Sequence, residues 1–199
     1  MRGRLIGALA AGAALVASIV MSAPANAVPA TWTVTPGGPF TGAAGTTVLK
    51  VQETGVTLTC RSATAAGTAK SGTGLSNPLA TLPPGSTKFN TCSGPFGLTF
   101  TVAHTGTWNL NGSTYASGVT TGNISNVTAT ISGPGCAASV AGSVIAKYTN
   151  STHTLTTPGT DYGLVFTSAS GCLGLISVGQ HASFTSSFNI SPAMTITSP

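Results

Sequence analysis

Threonine alternates with large apolar side chains along most of this chain, and that period of two most constrains what it can fold into. In Thr31-Trp32-Thr33-Val34-Thr35, Trp32 and Val34 point one way and the threonines the other. Val56, Leu58 and Cys60 alternate with Thr57 and Thr59 in the same way. So do Leu98, Phe100 and Val102 with Thr99 and Thr101, and Val127, Ala129 and Ile131 with Thr128 and Thr130. Phe184, Phe188 and Ile190 share a face opposite Thr185, Ser187 and Asn189. Successive side chains of a strand face opposite sides of a sheet, so each run is a half-buried strand. Shorter candidates lie around Thr47–Gln52, Val144–Tyr148, Tyr162–Thr167 and Met194–Thr197.

The scarcity of charge points the same way. Seven Lys or Arg and two Asp or Glu serve 199 residues, whereas 34 are threonine. Solvent-facing helices are normally coated with Glu, Lys and Arg, and this chain has almost none. β-Branched threonine favours a pleated surface, and 26 glycines supply turns. The fold class expected is all-β: a β-sandwich, or a barrel-like closure, of roughly ten short antiparallel strands. Asn111-Gly112 between two short runs predicts a type I′ hairpin. Breaks are predicted at Pro36–Pro39, Pro83–Gly85 and Gly133–Gly135. Ala63–Ser86 has the weakest period and predicts a long loop or an irregular edge.

Residues 1–27 read differently. Arg2 and Arg4, an apolar run from about Leu5 to Val20, and the small-x-small end Ala25-Asn26-Ala27 have the build of a secretory signal peptide. Cleavage after Ala27 leaves 28–199 as a single all-β domain that begins at Val28. No apolar segment long enough to span a bilayer follows Ala27, no lipid-anchored cysteine starts the remainder, and Met194–Pro199 carries no sorting motif with an apolar tail. The expected localisation is therefore extracellular, free or loosely associated with the cell wall. Cys60, Cys92, Cys136 and Cys172 form an even set, read in an exported chain as two disulfides. Of three possible pairings, Cys60–Cys92 and Cys136–Cys172 are favoured because each closes a similar loop within one half of the chain. Zinc-type spacings are absent, and no metal or other cofactor is expected.

Function is far less legible. A pI near 9.3 invites nucleic acid, but Lys50, Arg61, Lys70, Lys88 and Lys147 are scattered, and no basic stripe exists to displace counterions. Glycoside hydrolysis needs two flanking carboxylates, and beyond the C-terminus only Glu53 and Asp161 are available. Both read as solvated loop residues. A Ser-His-Asp device would draw on Asp161 with His104, His153 or His181, but no G-x-S-x-G elbow is present. The three histidines read as dispensable surface residues and the protein as no enzyme. Trp32, Trp108, Tyr115, Tyr148 and Tyr162 would stack on sugar rings if exposed as a row, but Trp32 and Trp108 fall in phase with aliphatic core positions. Five Asn-x-Ser/Thr triplets, at Asn111, Asn123, Asn126, Asn150 and Asn189, read as plain polar chemistry. Cys92-Ser93-Gly94-Pro95-Phe96-Gly97-Leu98 faintly echoes Cys172-Leu173-Gly174-Leu175, which is compatible with a duplicated half-domain.

The leader, the Thr31–Gly38 opening, Thr57-Leu58-Thr59-Cys60, the Cys92–Phe100 run, Ser132–Cys136 and the Thr195–Pro199 ending together carry a resemblance. Through most of the exported region the chain resembles a family of uncharacterised secreted all-β proteins of actinobacteria. That resemblance implies export and brings no catalytic residue. Size class, export and two expected disulfides are also shared with antibiotic-carrying apoproteins of the neocarzinostatin type, without any motif match. The leading expectation is an exported, non-catalytic protein with a surface-associated or extracellular interaction or structural role, its partner a cell wall or polysaccharide. The alternative is a carbohydrate- or small-ligand-binding module, and a secreted hydrolase is a remote third.

Overall fold

The computed structural model describes residues 31–199; the leader expected over 1–27 lies outside the described residues. Among the described residues there are fifteen strands: β1 (Trp32–Thr35), β2 (Gly38–Ala44), β3 (Thr47–Val51), β4 (Thr57–Ala69) and β5 (Gly72–Leu75). β6 (Ala80–Leu82), β7 (Lys88–Ser93), β8 (Thr99–Thr105), β9 (Trp108–Ala116) and β10 (Val119–Gly133) follow. The chain ends with β11 (Cys136–Thr149), β12 (Thr154–Pro158), β13 (Leu164–Ser170), β14 (His181–Ser191) and β15 (Thr195–Thr197).

Long β4, β10, β11 and β14 form the frame. β10 and β11 pair directly from Val119↔Thr149 to Gly133↔Cys136. Each remaining gap is filled twice, once toward either end. Between β14 and β4 lie β2 and β3. Between β11 and β14 lie β12 and β13. Between β4 and β10 the pair β6–β9 serves one end, and β7–β8 the other. The sheet thus closes on itself as an antiparallel barrel with eight strands at either level, and closure removes the unpaired edges a sandwich would leave. Of the two architectures expected, the barrel-like one is adopted. Register explains the need for a bulge: β10 buries Thr120 and Ile124, then Val127, Ala129 and Ile131, and the phase changes at Asn126, where φ is 56°.

The interior is filled by Phe40, Trp108, Ile131, Val140, Phe166 and Phe188 among others, as the alternation predicts. A small sheet in the order β15-β1-β5 covers one end, with Val34, Met194 and Ile196 against barrel residues Phe40, Tyr148 and Ile190. The Tyr148 hydroxyl donates to the Met194 carbonyl at 2.8 Å, and Asn150 clamps Ile196 through both its amide groups. At the other end emerge the loops β3–β4, β7–β8, β10–β11 and β13–β14.

Two local expectations fail for related reasons. Ala63–Ser86 is no long loop; it holds the second half of β4, then β5 and β6. The buried residues of that half of β4 are the small Ala63, Ala65 and Ala69, and Gly67 leaves room for the Phe40 ring, which a Cβ there would meet at 2.7–2.9 Å. Hydrophobic period is invisible where the partner supplies the bulk. Asn111-Gly112 is also no hairpin turn: both residues lie inside β9, and the turn falls at Ser117 (φ 49°) and Gly118 (φ 81°). The Asn111 amide nitrogen donates to the Asn123 amide oxygen at 3.0 Å and to the Ser125 hydroxyl at 2.9 Å, so its side chain serves the β9–β10 seam. Gly112 is there for close approach: a Cβ would lie 2.4–2.7 Å from three carbons of the buried Trp32 indole. Gly112→Ala should therefore cost about 2–3 kcal/mol in chemical denaturation, at the upper range of overpacking. A variant as stable as the parent would show that the indole can move aside.

Candidate functional site

Glu53, Asp161 and the three histidines are spread around the barrel, each with a hydrogen-bond partner. Glu53, in the β3–β4 loop, accepts both the backbone N–H of His181 and a ring nitrogen, Nδ1, at 3.0 Å. The hydrogen bond from the imidazole, helped by that from the backbone, holds the Glu53 carboxyl below its ordinary range. Asp161 accepts the Ile145 backbone N–H at 2.8 Å, away from this pair, and ties the β12–β13 loop to β11. His153 sits in a turn with φ 52°, its Nδ1 3.3 Å from the Met194 carbonyl. The His–carboxylate geometry at His181 is that of an oriented imidazole, but no hydroxyl is hydrogen-bonded to its other nitrogen among the described residues. Nor do those residues hold any group of three or more His, Cys, Asp or Glu able to bind a metal.

His104 departs from the surface role expected of it. It is 4 % exposed on β8, its Nδ1 accepts the Thr87 backbone N–H at 3.2 Å, and its ring lies 4.0 Å from that of Trp108. Burial pushes the imidazole below its ordinary value, the nearby Lys88 charge adds to this, and the Gly106 carbonyl opposes it. His104 is a structural residue. Trp32 and Trp108 are likewise buried, at 1 % and 6 % exposure, and Tyr148 with them. A row of sugar-stacking aromatics would thus have to do without both indoles. The barrel interior holds apolar cavities of about 70 and 50 Å³, far below the several hundred Å³ of an ordinary small-molecule pocket.

What stands out is the end where four loops converge. Pro95-Phe96-Gly97-Leu98 is closed by a hydrogen bond from the Leu98 N–H to the Pro95 carbonyl at 3.2 Å, with φ 58° at Phe96 and 71° at Gly97. Cys172-Leu173-Gly174-Leu175 repeats it: the Leu175 N–H donates to the Cys172 carbonyl at 2.9 Å, with φ 54° and 74° at the central pair. Both have the positive central φ values of type I′ turns, which Asn-Gly or Gly-Gly normally occupies. Here the first central residue is a large apolar side chain, at a cost of about 1–2 kcal/mol for the left-handed backbone. Nor is burial the compensation: Phe96 is 87 % exposed and Leu173 85 %. A third turn, in which the Gln180 N–H reaches the Ser177 carbonyl, lifts Val178 to 63 % exposure.

The bases of these turns are braced. Cys60–Cys92 and Cys136–Cys172 are the two disulfides, in the pairing expected; Cys92 lies three residues before Pro95, and Cys172 opens the second turn. Thr54 donates its hydroxyl to the Leu175 carbonyl at 3.0 Å, locking the β3–β4 loop to the β13–β14 loop. Between the turns lies a groove of about 40 Å³ whose lining includes Phe96, Phe100, Leu173 and Ile176.

No family model, curated protein or solved structure matches this chain. The site therefore has to be read from its own chemistry. Strain and exposure together at two matched turns point to use, because neither packing nor backbone preference favours them. The one sequence signal was the echo between Cys92–Leu98 and Cys172–Leu175. It comes from two equivalent turns at one barrel end, each with an apolar residue, then glycine, then leucine.

Proposed function

We propose that this protein is an exported, non-catalytic interaction protein that works from the outside of the cell and docks through the apolar loop tip. The observation that carries this reading is the pair Phe96 and Leu173, both almost fully exposed and both held in a conformation that disfavours them. Two disulfides fit an oxidising compartment, and among the described residues no helix is long and apolar enough to cross a membrane. The basic, apolar, small-ended leader supports export, and so does the resemblance to secreted actinobacterial proteins. The cell envelope, with its wall and polysaccharide, is the surface an exported protein meets first.

The test is retention on an isolated actinobacterial envelope fraction, comparing the parent with Phe96→Asn/Leu173→Asn. The variant should be retained at least tenfold more weakly. In free solution it should be more stable, by roughly 0.5–1 kcal/mol per site, because asparagine tolerates the left-handed region. Gain of stability with loss of docking separates a binding role from a structural one. Equal retention of the two proteins would remove the tip from the function.

A further inference from the structure

Resting on that reading, we infer that the loop tip docks on a lipid bilayer, inserting Phe96, Leu173 and their neighbours among the acyl chains. The shape of the tip argues for a fluid partner. Phe96 and Leu173 stand exposed on separate turns. The groove between them is about 40 Å³, and Phe96 and Leu173 stay 87 % and 85 % exposed beside it, so the tip presents projecting side chains more than a socket. Hydrocarbon needs no matching sockets, because it flows around whatever is inserted.

Placement argues likewise. Among the described residues the exposed large apolar side chains are Phe96, Leu98, Ile145, Leu173 and Val178, and all but Ile145 lie on loops at this end. Behind them the loops and strand ends carry polar residues such as Gln52, Thr54, Ser93, Ser177 and Gln180, as suits a headgroup layer. The only carboxylate on these loops, Glu53, is committed to His181. The exposed cations Lys50 and Arg61 lie on β3 and β4, on the strand segments that lead to the tip. Their sign favours an anionic lipid surface. The turns are already rigid, braced by the two disulfides and the Thr54–Leu175 bond, so insertion requires little ordering.

The experiment uses the disulfide-bonded protein recovered from culture medium and large vesicles of phosphatidylcholine, with or without phosphatidylglycerol. In co-sedimentation the parent should bind both, several-fold more tightly with phosphatidylglycerol, and that preference should shrink in high salt. Phe96→Asn/Leu173→Asn should lose at least thirtyfold on both vesicle types. A Phe96→Trp variant should shift its added emission to the blue on vesicles, as an indole entering hydrocarbon does. Absence of vesicle binding by the parent, or equal binding by the asparagine variant, would overturn the lipid assignment. If vesicles fail while envelope retention persists and is still lost in the asparagine variant, the docking tip stands and its partner is a wall polymer or a protein.

Discussion

Replacing all four cysteines with serine should leave this protein substantially unfolded at 37 °C. Cys60–Cys92 and Cys136–Cys172 are separated by 32 and 36 residues in sequence. On the chain-entropy model each such bridge stabilises by about 3–4 kcal/mol. Together they are comparable with the whole stability of a typical domain, roughly 5–15 kcal/mol. Their positions make the effect local as well as global. Both brace the barrel end where β4 meets β7 and where β11 meets β13, directly under the strained apolar turns. Thermal unfolding should show Cys60→Ser/Cys92→Ser and Cys136→Ser/Cys172→Ser each melting about 8–15 °C below the parent. The second pair should also weaken docking at temperatures where the barrel is intact, since it frees the Leu173 turn. A reduced protein melting within a few degrees of the oxidised one would show that barrel closure alone holds this end.

The second large effect is expected at His104. Substitution by glutamine removes the ring against Trp108 and the Nδ1 that accepts the buried Thr87 N–H. An unsatisfied buried donor costs about 1–3 kcal/mol, and lost packing adds to it, so a total of about 2–4 kcal/mol is expected in denaturant titration. The same residue should set the acid limb of stability. Its folded pKa is depressed, so the unfolded chain binds a proton first as pH falls. Stability from this group is complete above the unfolded value near 6.5 and is lost as pH falls toward the folded value, by at most about 1.4 kcal/mol per pH unit. His104→Gln should be less stable at neutral pH and should flatten that limb. Glu53, whose carboxyl is also held low, contributes in a separate window below the ordinary carboxylate range. An unchanged pH profile in the His104 variant would place the acid sensitivity elsewhere.

Much of the secondary structure was open to reading because alternation is a local property. A Thr-x-Thr run declares which side chains face in, and Trp32, Val34, Ile131, Phe188 and Ile190 are all buried as that rule requires. The disulfide pairing followed from even loop lengths. β2, β5, β6, β7 and β12 were harder to see, because several of their inward positions are alanine, glycine or polar residues that fill space only beside a larger partner. Asn111-Gly112 was misread for the same reason: its turn chemistry is real, but Trp32, some 80 residues earlier in the chain, needs the glycine for contact.

Apart from the echo between Cys92–Leu98 and Cys172–Leu175, the docking tip depended on tertiary structure. Phe96-Gly97-Leu98 and Leu173-Gly174-Leu175 are unremarkable as text, since any turn with a neighbouring hydrophobe reads that way. They become a site only when β4 pairs with β7 and β11 with β13, so that loops joined by contacts such as Thr54–Leu175, 121 residues apart, share one barrel end. Composition and period determined an all-β chain solvated by hydroxyls, with a defined inner face on most strands. Closure into a ring, burial of His104 and exposure of Phe96 beside Leu173 were decided by long-range pairing. The physical reason is that the side a residue faces is set by its immediate neighbours, whereas what covers it is set by segments far away in the chain.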